Sequence, residues 1–204
     1  MDREWVDDQL RMLSRRLGIF RPNPHEFYFE PTEAIYERLA SGDEHDLQSV
    51  VTAIARHVDV VSIPIASYEW GVKMDLEVAG LIEARHMYRI GIPFFYVGKA
   101  YATGAIVAHE ITHAFLFSKG IGFPDTQANE LLTDVSTIFI GLGKLLLNGL
   151  HAPASTPSDE RRTLGYLPPD LSVYCFERVR ELRTIDTGIA HRFLVSESGG
   201  HDHS

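Results

Sequence analysis

The stretch Ala108-His109-Glu110-Ile111-Thr112-His113, followed by Asn129-Glu130 and then Asp134, constrains this chain more than any other part of it. Two histidines four apart stand one above the other on a helix face, so both imidazoles can reach one point. Glu110 leaves the same turn beside them. Glu130 and Asp134 are also spaced i,i+4 and share a face of a second helix. Apolar flanks, Thr103 to Ala108 and Ala114 to Phe117, predict a first helix about four turns long. Its stripe of Ile106, Val107, Ile111, Ala114 and Phe115 leaves both histidines at the border of a buried face. Gly120, Gly122 and Pro124 end it. A second helix is expected from an N-cap at Asp125 or Thr126 to about Leu147, with Gly141 and Gly143 inside it as points of close packing. Burying two carboxylates on so apolar a helix would cost on the order of several kcal/mol, which a divalent cation and a His N–H offset. The pattern therefore predicts a zinc site with a third ligand and a supporting carboxylate from the second helix.

H-E-x-x-H with a downstream N-E-x-x-x-D resembles the gluzincin group of zinc metallopeptidases. The resemblance implies His109, His113 and Glu130 as the zinc ligands, Glu110 as general base, and Asp134 as the residue that holds a ligand histidine. The interval between His113 and Glu130 is short for that group, which implies a compact version. More closely, the run from Ala108 to Asn148, with Gly165-Tyr166-Leu167 beyond it, resembles a set of bacterial HExxH proteins of unassigned function. Metzincins are excluded, since they require Gly and His where this chain has Leu116 and Lys119.

Three protein ligands leave the fourth tetrahedral position to water, as in catalytic zinc sites. Zinc brings the pKa of that water towards about 7, and Glu110 takes its proton as it attacks a carbonyl. The expected activity is thus peptide-bond hydrolysis by a zinc metallopeptidase holding one zinc ion, with a peptide or protein as substrate. An oxyanion donor is also expected, and Tyr166, His151 and Tyr101 are the candidates in that order. Two other readings stay open: a zinc amidohydrolase acting on a non-peptide substrate, and a non-catalytic or partner-regulated zincin-like binding domain. The intact Glu110 argues against the second.

The expected fold class is α+β and zincin-like, a single domain over 1–204 with a small twisted sheet of three or four strands against the helices that carry the site. Helices are predicted over 2–18, 32–40, 44–57 and 169–183, and strands over Val58 to Tyr68 and Val78 to Ala84. Ile92 to Val97 reads as an edge strand on which a substrate could lie, proline being tolerated at an edge. Residues 1–50 form a helical N-terminal arm. There Trp5, Leu10, Leu13 and Leu17 make a stripe beside Arg11, Arg15 and Arg16, which either packs on the body or offers a surface to a protein partner. His151 to Asp159 is rich in Pro and Ser and is expected to be exposed beside the cleft. Residues 195–204 read as a flexible tail whose His201 and His203 could scavenge metal.

A hydrophobic content of 45% over 204 residues is enough for a sizeable core. The net charge of −9 argues against a nucleic-acid partner. No apolar run is long enough to span a membrane, and Met1-Asp2-Arg3-Glu4 does not begin a signal peptide, so a cytoplasmic location is expected. Cys175, the single cysteine, allows no internal disulfide and reads as core.

Overall fold

Helix α5 (Ala100–Ser118) is apolar on nearly every face, and the fold is built around it. Every residue from Thr103 to Thr112 is buried, so this helix needs neighbours on all sides. The computed structural model describes residues 1–18, 23–69, 81–82, 88–151 and 164–195, with the backbone alone at 81–82. Helices α3 (Glu33–Ala40), α4 (Glu44–His57), α6 (Thr126–Thr137) and α7 (Gly143–His151) pack on α5, and strands β2 (Leu81–Ile82) and β3 (Arg89–Pro93) take another side. Helices α1 (Arg3–Leu17) and α8 (Pro169–Leu182) lie over α6. The result is α+β: mostly helix with one small mixed sheet.

Helix boundaries follow their caps. Asp2, Asp43 and Asp125 each accept from a backbone N–H in the first turn of α1, α4 and α6 respectively. Pro169 opens α8 at a position that needs no N–H. The segment after α8 is not loose through residue 195. Short helix α9 (Thr187–His191) buries Ala190, and the Asn148 side chain bonds Phe193 O and Val195 N. Fully buried Lys144 reaches both oxygens of Glu30, at 3.0 and 2.9 Å, and the Ile189 carbonyl at 2.8 Å. This pair ties α7 to the N-terminal segment and to α9. Residues 196–204 and the stretch 152–163 lie outside the described residues.

The described residues of the N-terminal part are mostly helical, as expected, and include a short helix α2 (Pro24–Phe27) between α1 and α3. They pack onto the body. Val6, Leu10 and Leu13 of α1 are buried, and Asp7 accepts from Tyr174 Oη and from Arg178 of α8. Of the apolar stripe, Leu10 and Leu13 are covered by the body and Trp5 and Leu17 are partly buried against it.

The sheet differs from expectation in two respects. Among the described residues it has three strands in the order β1–β3–β2, where β1 is Ile65–Glu69. β1 pairs with β3 in parallel, and β2 pairs with it antiparallel. The expected edge strand at Ile92 to Val97 is therefore the end of the central strand. Ile90 to Pro93 are buried without alternation, as befits a central strand. After Pro93 the chain winds into a 3-10 turn (Phe94–Tyr96). The strand expected from Val58 begins only at Ile65. Val58 and Val60 are buried in the C-terminal cap of α4, Asp59 turns the chain at φ 56°, and Pro64 has no N–H to give a ladder. The expected strand from Val78 to Ala84 contains β2; its other residues lie outside the described ones.

β1 is closed on its free side: Gln48 Oε1 accepts from Ala66 N at 2.9 Å and Glu44 Oε1 from Tyr68 N at 3.3 Å. Side chains of α4 thus satisfy donors that an added strand would need.

The long helix expected from Asp125 to Leu147 is two helices. It passes through a π turn (Ile138–Leu142), and Gly141 sits at φ 98° with its carbonyl accepting from Phe29 N at 2.9 Å. A Cβ at Gly141 would lie 2.1 Å from the Phe27 carbonyl oxygen. Only glycine fits both the backbone angle and the space. Gly141→Ala is expected to destabilise the protein by about 2–5 kcal/mol, combining left-handed strain with overpacking. Urea denaturation measures this, and a loss below about 1 kcal/mol would contradict so tight an approach.

Candidate metal centre

α5 leaves the core at its C-terminal end. His109 is 9% and Glu110 5% exposed, His113 is half-buried, and Phe117, one turn further along the same face, is 68% exposed. The two histidines therefore sit where a buried helix reaches the surface. α6 crosses them at the same level because the Lys119–Asp125 connection reverses the chain. Ile121 N bonds Leu116 O, Gly120 takes a positive φ, and Asn129 Oδ1 accepts from Phe123 N.

Three side-chain atoms from the two helices meet in one small triangle. His109 Nε2 lies 2.9 Å from Glu130 Oε2, His113 Nε2 lies 3.1 Å from the same oxygen, and the two Nε2 atoms are 3.0 Å apart. Edges of about 3.3–3.4 Å are expected for a tetrahedral zinc site with bonds of about 2.0–2.1 Å. The triangle is slightly smaller than that, so the donors fit one zinc ion with a modest outward relaxation. Two imidazoles and a carboxylate are also the donor types of catalytic zinc. Residues His109, His113 and Glu130 could hold a metal.

Behind the triangle, Asp134 is 1% exposed and fully hydrogen-bonded. Its Oδ1 accepts from His109 Nδ1–H at 2.8 Å; its Oδ2 accepts from the Tyr166 and Leu167 amides at 2.5 and 2.7 Å. Gly165 makes this close approach possible: it adopts φ 92°, and a Cβ there would stand 3.1 Å from Asp134 Oδ2. His113 Nδ1 lies 3.2 Å from the Thr133 hydroxyl.

The charges are coupled. Burial opposes the imidazolium of His109, but the hydrogen bonds to Asp134 and Glu130 outweigh it and take its pKa up to about 10. Burial likewise works against the Glu130 carboxylate, yet both histidines hold it down to about 2. Glu110 moves the other way: burial raises its carboxyl above the usual range, with Glu130 adding to the rise and the histidines opposing it. The Glu110 side chain is a buried carboxyl group next to the triangle, with no hydrogen-bond partner among the described residues.

The structure thus brings together His109, His113, Glu130, Asp134 and Glu110. Tyr166 joins them partly, its ring 5.8 Å from that of His109 and 41% exposed. Tyr101 is not brought there. It lies on α5 about 12 Å along the axis before His109 and meets Tyr36 edge to face, ring centroids 4.5 Å apart. His151 ends α7 two residues after Gly149, which packs on Ala105 and the Tyr101 carbonyl at that same far end. Cys175 is buried in the core. Sequence reasoning missed Thr133 and the role of the two amides after Gly165. The polar stripe Asn129, Glu130, Thr133, Asp134, Thr137 on an apolar helix was the available signal for Thr133.

Two other features carry no comparable chemistry. Asp43, His45 and Asp46 cluster at the start of α4, but there the Asp43 carboxylate is the N-cap, accepting from His45 N and Asp46 N. A cleft of about 410 Å³ lined by Phe27, Phe139, Val179 and Arg183 shares no residue with the triangle. No helix among the described residues is long and apolar enough to cross a membrane. Comparison of the chain with protein-family models, with curated proteins and with solved structures returns no match.

Proposed function

We propose that this chain is a zinc-dependent hydrolase, a compact gluzincin-like metallopeptidase on a zincin-like α+β scaffold. One observation carries the reading: His109 Nε2, His113 Nε2 and Glu130 Oε2 stand 2.9–3.1 Å from one another, with the carboxyl group of Glu110 buried beside them. Zinc held by the three would supply Lewis acidity, polarising a carbonyl oxygen and making water acidic near neutral pH. Glu110 accepts the proton of the attacking water and passes it to the leaving nitrogen. Asp134 keeps His109 in one orientation and one tautomer. The Tyr166 hydroxyl is the group we assign to the developing oxyanion, on the strength of its ring beside His109.

The substrate we assign is a peptide or protein, bound extended. Since α4 closes the free side of β1, an added strand would join the sheet on the β2 side. Exposed Phe117, with Tyr88 packed against it at 6.1 Å, supports a preference for a large apolar side chain near the cleaved bond.

Metal content of a chain ending at residue 195 tests the centre without the histidines of the tail. About one zinc per chain is expected, and close to none in His113→Ala of the same length. Equal, near-zero content in both would sink the proposal. Because Asp134 and Glu130 favour the imidazolium of His109, and a metal would require its neutral form, uptake is also expected to release protons, read as buffer-dependent heat in calorimetry. A diverse peptide library then separates the substrate classes. Cleavage next to apolar residues supports a peptidase, and metal binding with no cleavage of any peptide points to the non-peptide amidohydrolase or the binding domain.

A further inference from the structure

His109 has a carboxylate behind it, whereas among the described residues the partner behind the ring of His113 is the uncharged Thr133. This side chain is fully buried and comes from the turn of α6 that also presents Glu130 and Asp134. Its hydroxyl has one proton, and the Asn129 carbonyl 2.9 Å away accepts it. The oxygen's remaining lone pairs then face His113 Nδ1 at 3.2 Å, where they can only accept. That places the neutral imidazole's proton on Nδ1 and leaves the Nε2 lone pair directed at the corner shared with Glu130 Oε2 and His109 Nε2. Thr133 is held for this task, since β-branching limits its rotamers and the bond to Asn129 fixes its χ1. One turn further on, the Thr137 hydroxyl lies 2.8 Å from the Thr133 carbonyl and 3.0 Å from Thr112 Oγ1, so α6 meets α5 closely beside His113.

We propose that Thr133 is a positioning residue for His113, a neutral counterpart of Asp134, and that it fixes the tautomer and ring orientation in which His113 binds the metal. The proposal rests on the metal reading above. A hydroxyl withdraws less proton density from an imidazole N–H than a carboxylate does, so the two histidines become unequal ligands, with His113 the weaker donor.

The test uses the full chain as wild type, Thr133→Val and Thr133→Ser. Zinc affinity is measured by competition with a chromophoric chelator, and the ligand field by the visible spectrum of the cobalt(II) form. Thr133→Val, which keeps the shape and loses the oxygen, is expected to weaken zinc binding about 10- to 100-fold and to change the cobalt spectrum. Thr133→Ser is expected to restore both. In zinc-loaded wild type, the His113 Nδ1 proton is expected as a slowly exchanging downfield NMR resonance, a readout that does not depend on any variant folding. Wild-type affinity in Thr133→Val, or a His113 Nδ1 proton that exchanges as fast as in free imidazole, overturns the proposal while leaving the metal centre standing. A wild-type chain that takes up no zinc overturns both.

Discussion

Asp134→Ala is expected to cost the metal-free protein about 3–5 kcal/mol of stability, the usual price of leaving buried partners of a charged group unpaired. The carboxylate serves three N–H donors at once, from His109, Tyr166 and Leu167, and it is almost wholly shielded from water. Alanine leaves all three facing a small void. It also removes what holds the turn at Gly165, so the loss is shared between the centre and the segment leading into α8. Zinc affinity should fall with it, since His109 is freed to rotate. Chemical denaturation of the metal-free chain checks the first effect and chelator competition the second. A destabilisation under about 1 kcal/mol would mean that the buried network is not made in solution.

Glu110→Gln is expected to separate stability from activity. Glutamine keeps the size but cannot take a proton, so peptide hydrolysis should drop by about a hundred- to ten-thousand-fold while zinc content stays unchanged. Stability should move in the opposite direction. Burial raises the folded-state pKa of Glu110 above its ordinary value, so the folded protein prefers the protonated form. Ionisation therefore costs stability as pH rises from the ordinary carboxyl pKa to the raised one, and that cost persists at neutral pH. No hydrogen bond is lost in exchange, because none is made by this side chain among the described residues. Metal-free Glu110→Gln should accordingly melt higher than wild type at pH 7, by an amount that shrinks in acid. Unchanged cleavage would remove Glu110 from the role of base, and a lower melting temperature would mean that its buried charge is no burden on the fold.

How much of this was legible in the sequence depends on how local each signal is. Helix α4 and the cap of α6 at Asp125 could be read residue by residue, because caps and apolar periodicity act within a turn or two. The same holds for the i,i+4 pairs that bring His109, His113, Glu130 and Asp134 onto two facing helices. One failure is local: Val58 and Val60 look like strand residues, yet the cap of α4 claims them. The others arise where a distant segment decides. Ile92 looks like an edge because of Pro93, yet β1 and β2 flank its strand on both sides. The break at Gly141 is set by the Phe27 carbonyl, more than a hundred residues away in sequence. Thr133 and the amides of Tyr166 and Leu167 belong to the same class. Their partners are hydrogen-bond geometry across the fold, which periodicity does not encode.

The double duty of Asp134 has a consequence for how sequences like this one can diverge. Its carboxylate is a joint of the fold as well as a support of the centre, so selection for folding alone would retain it. Glu110 has no such protection, because the folded chain is more stable without its charge. Among descendants that kept this architecture, a persisting Asp134 would report only that the protein still folds. A persisting Glu110 would report that the proposed chemistry is being kept.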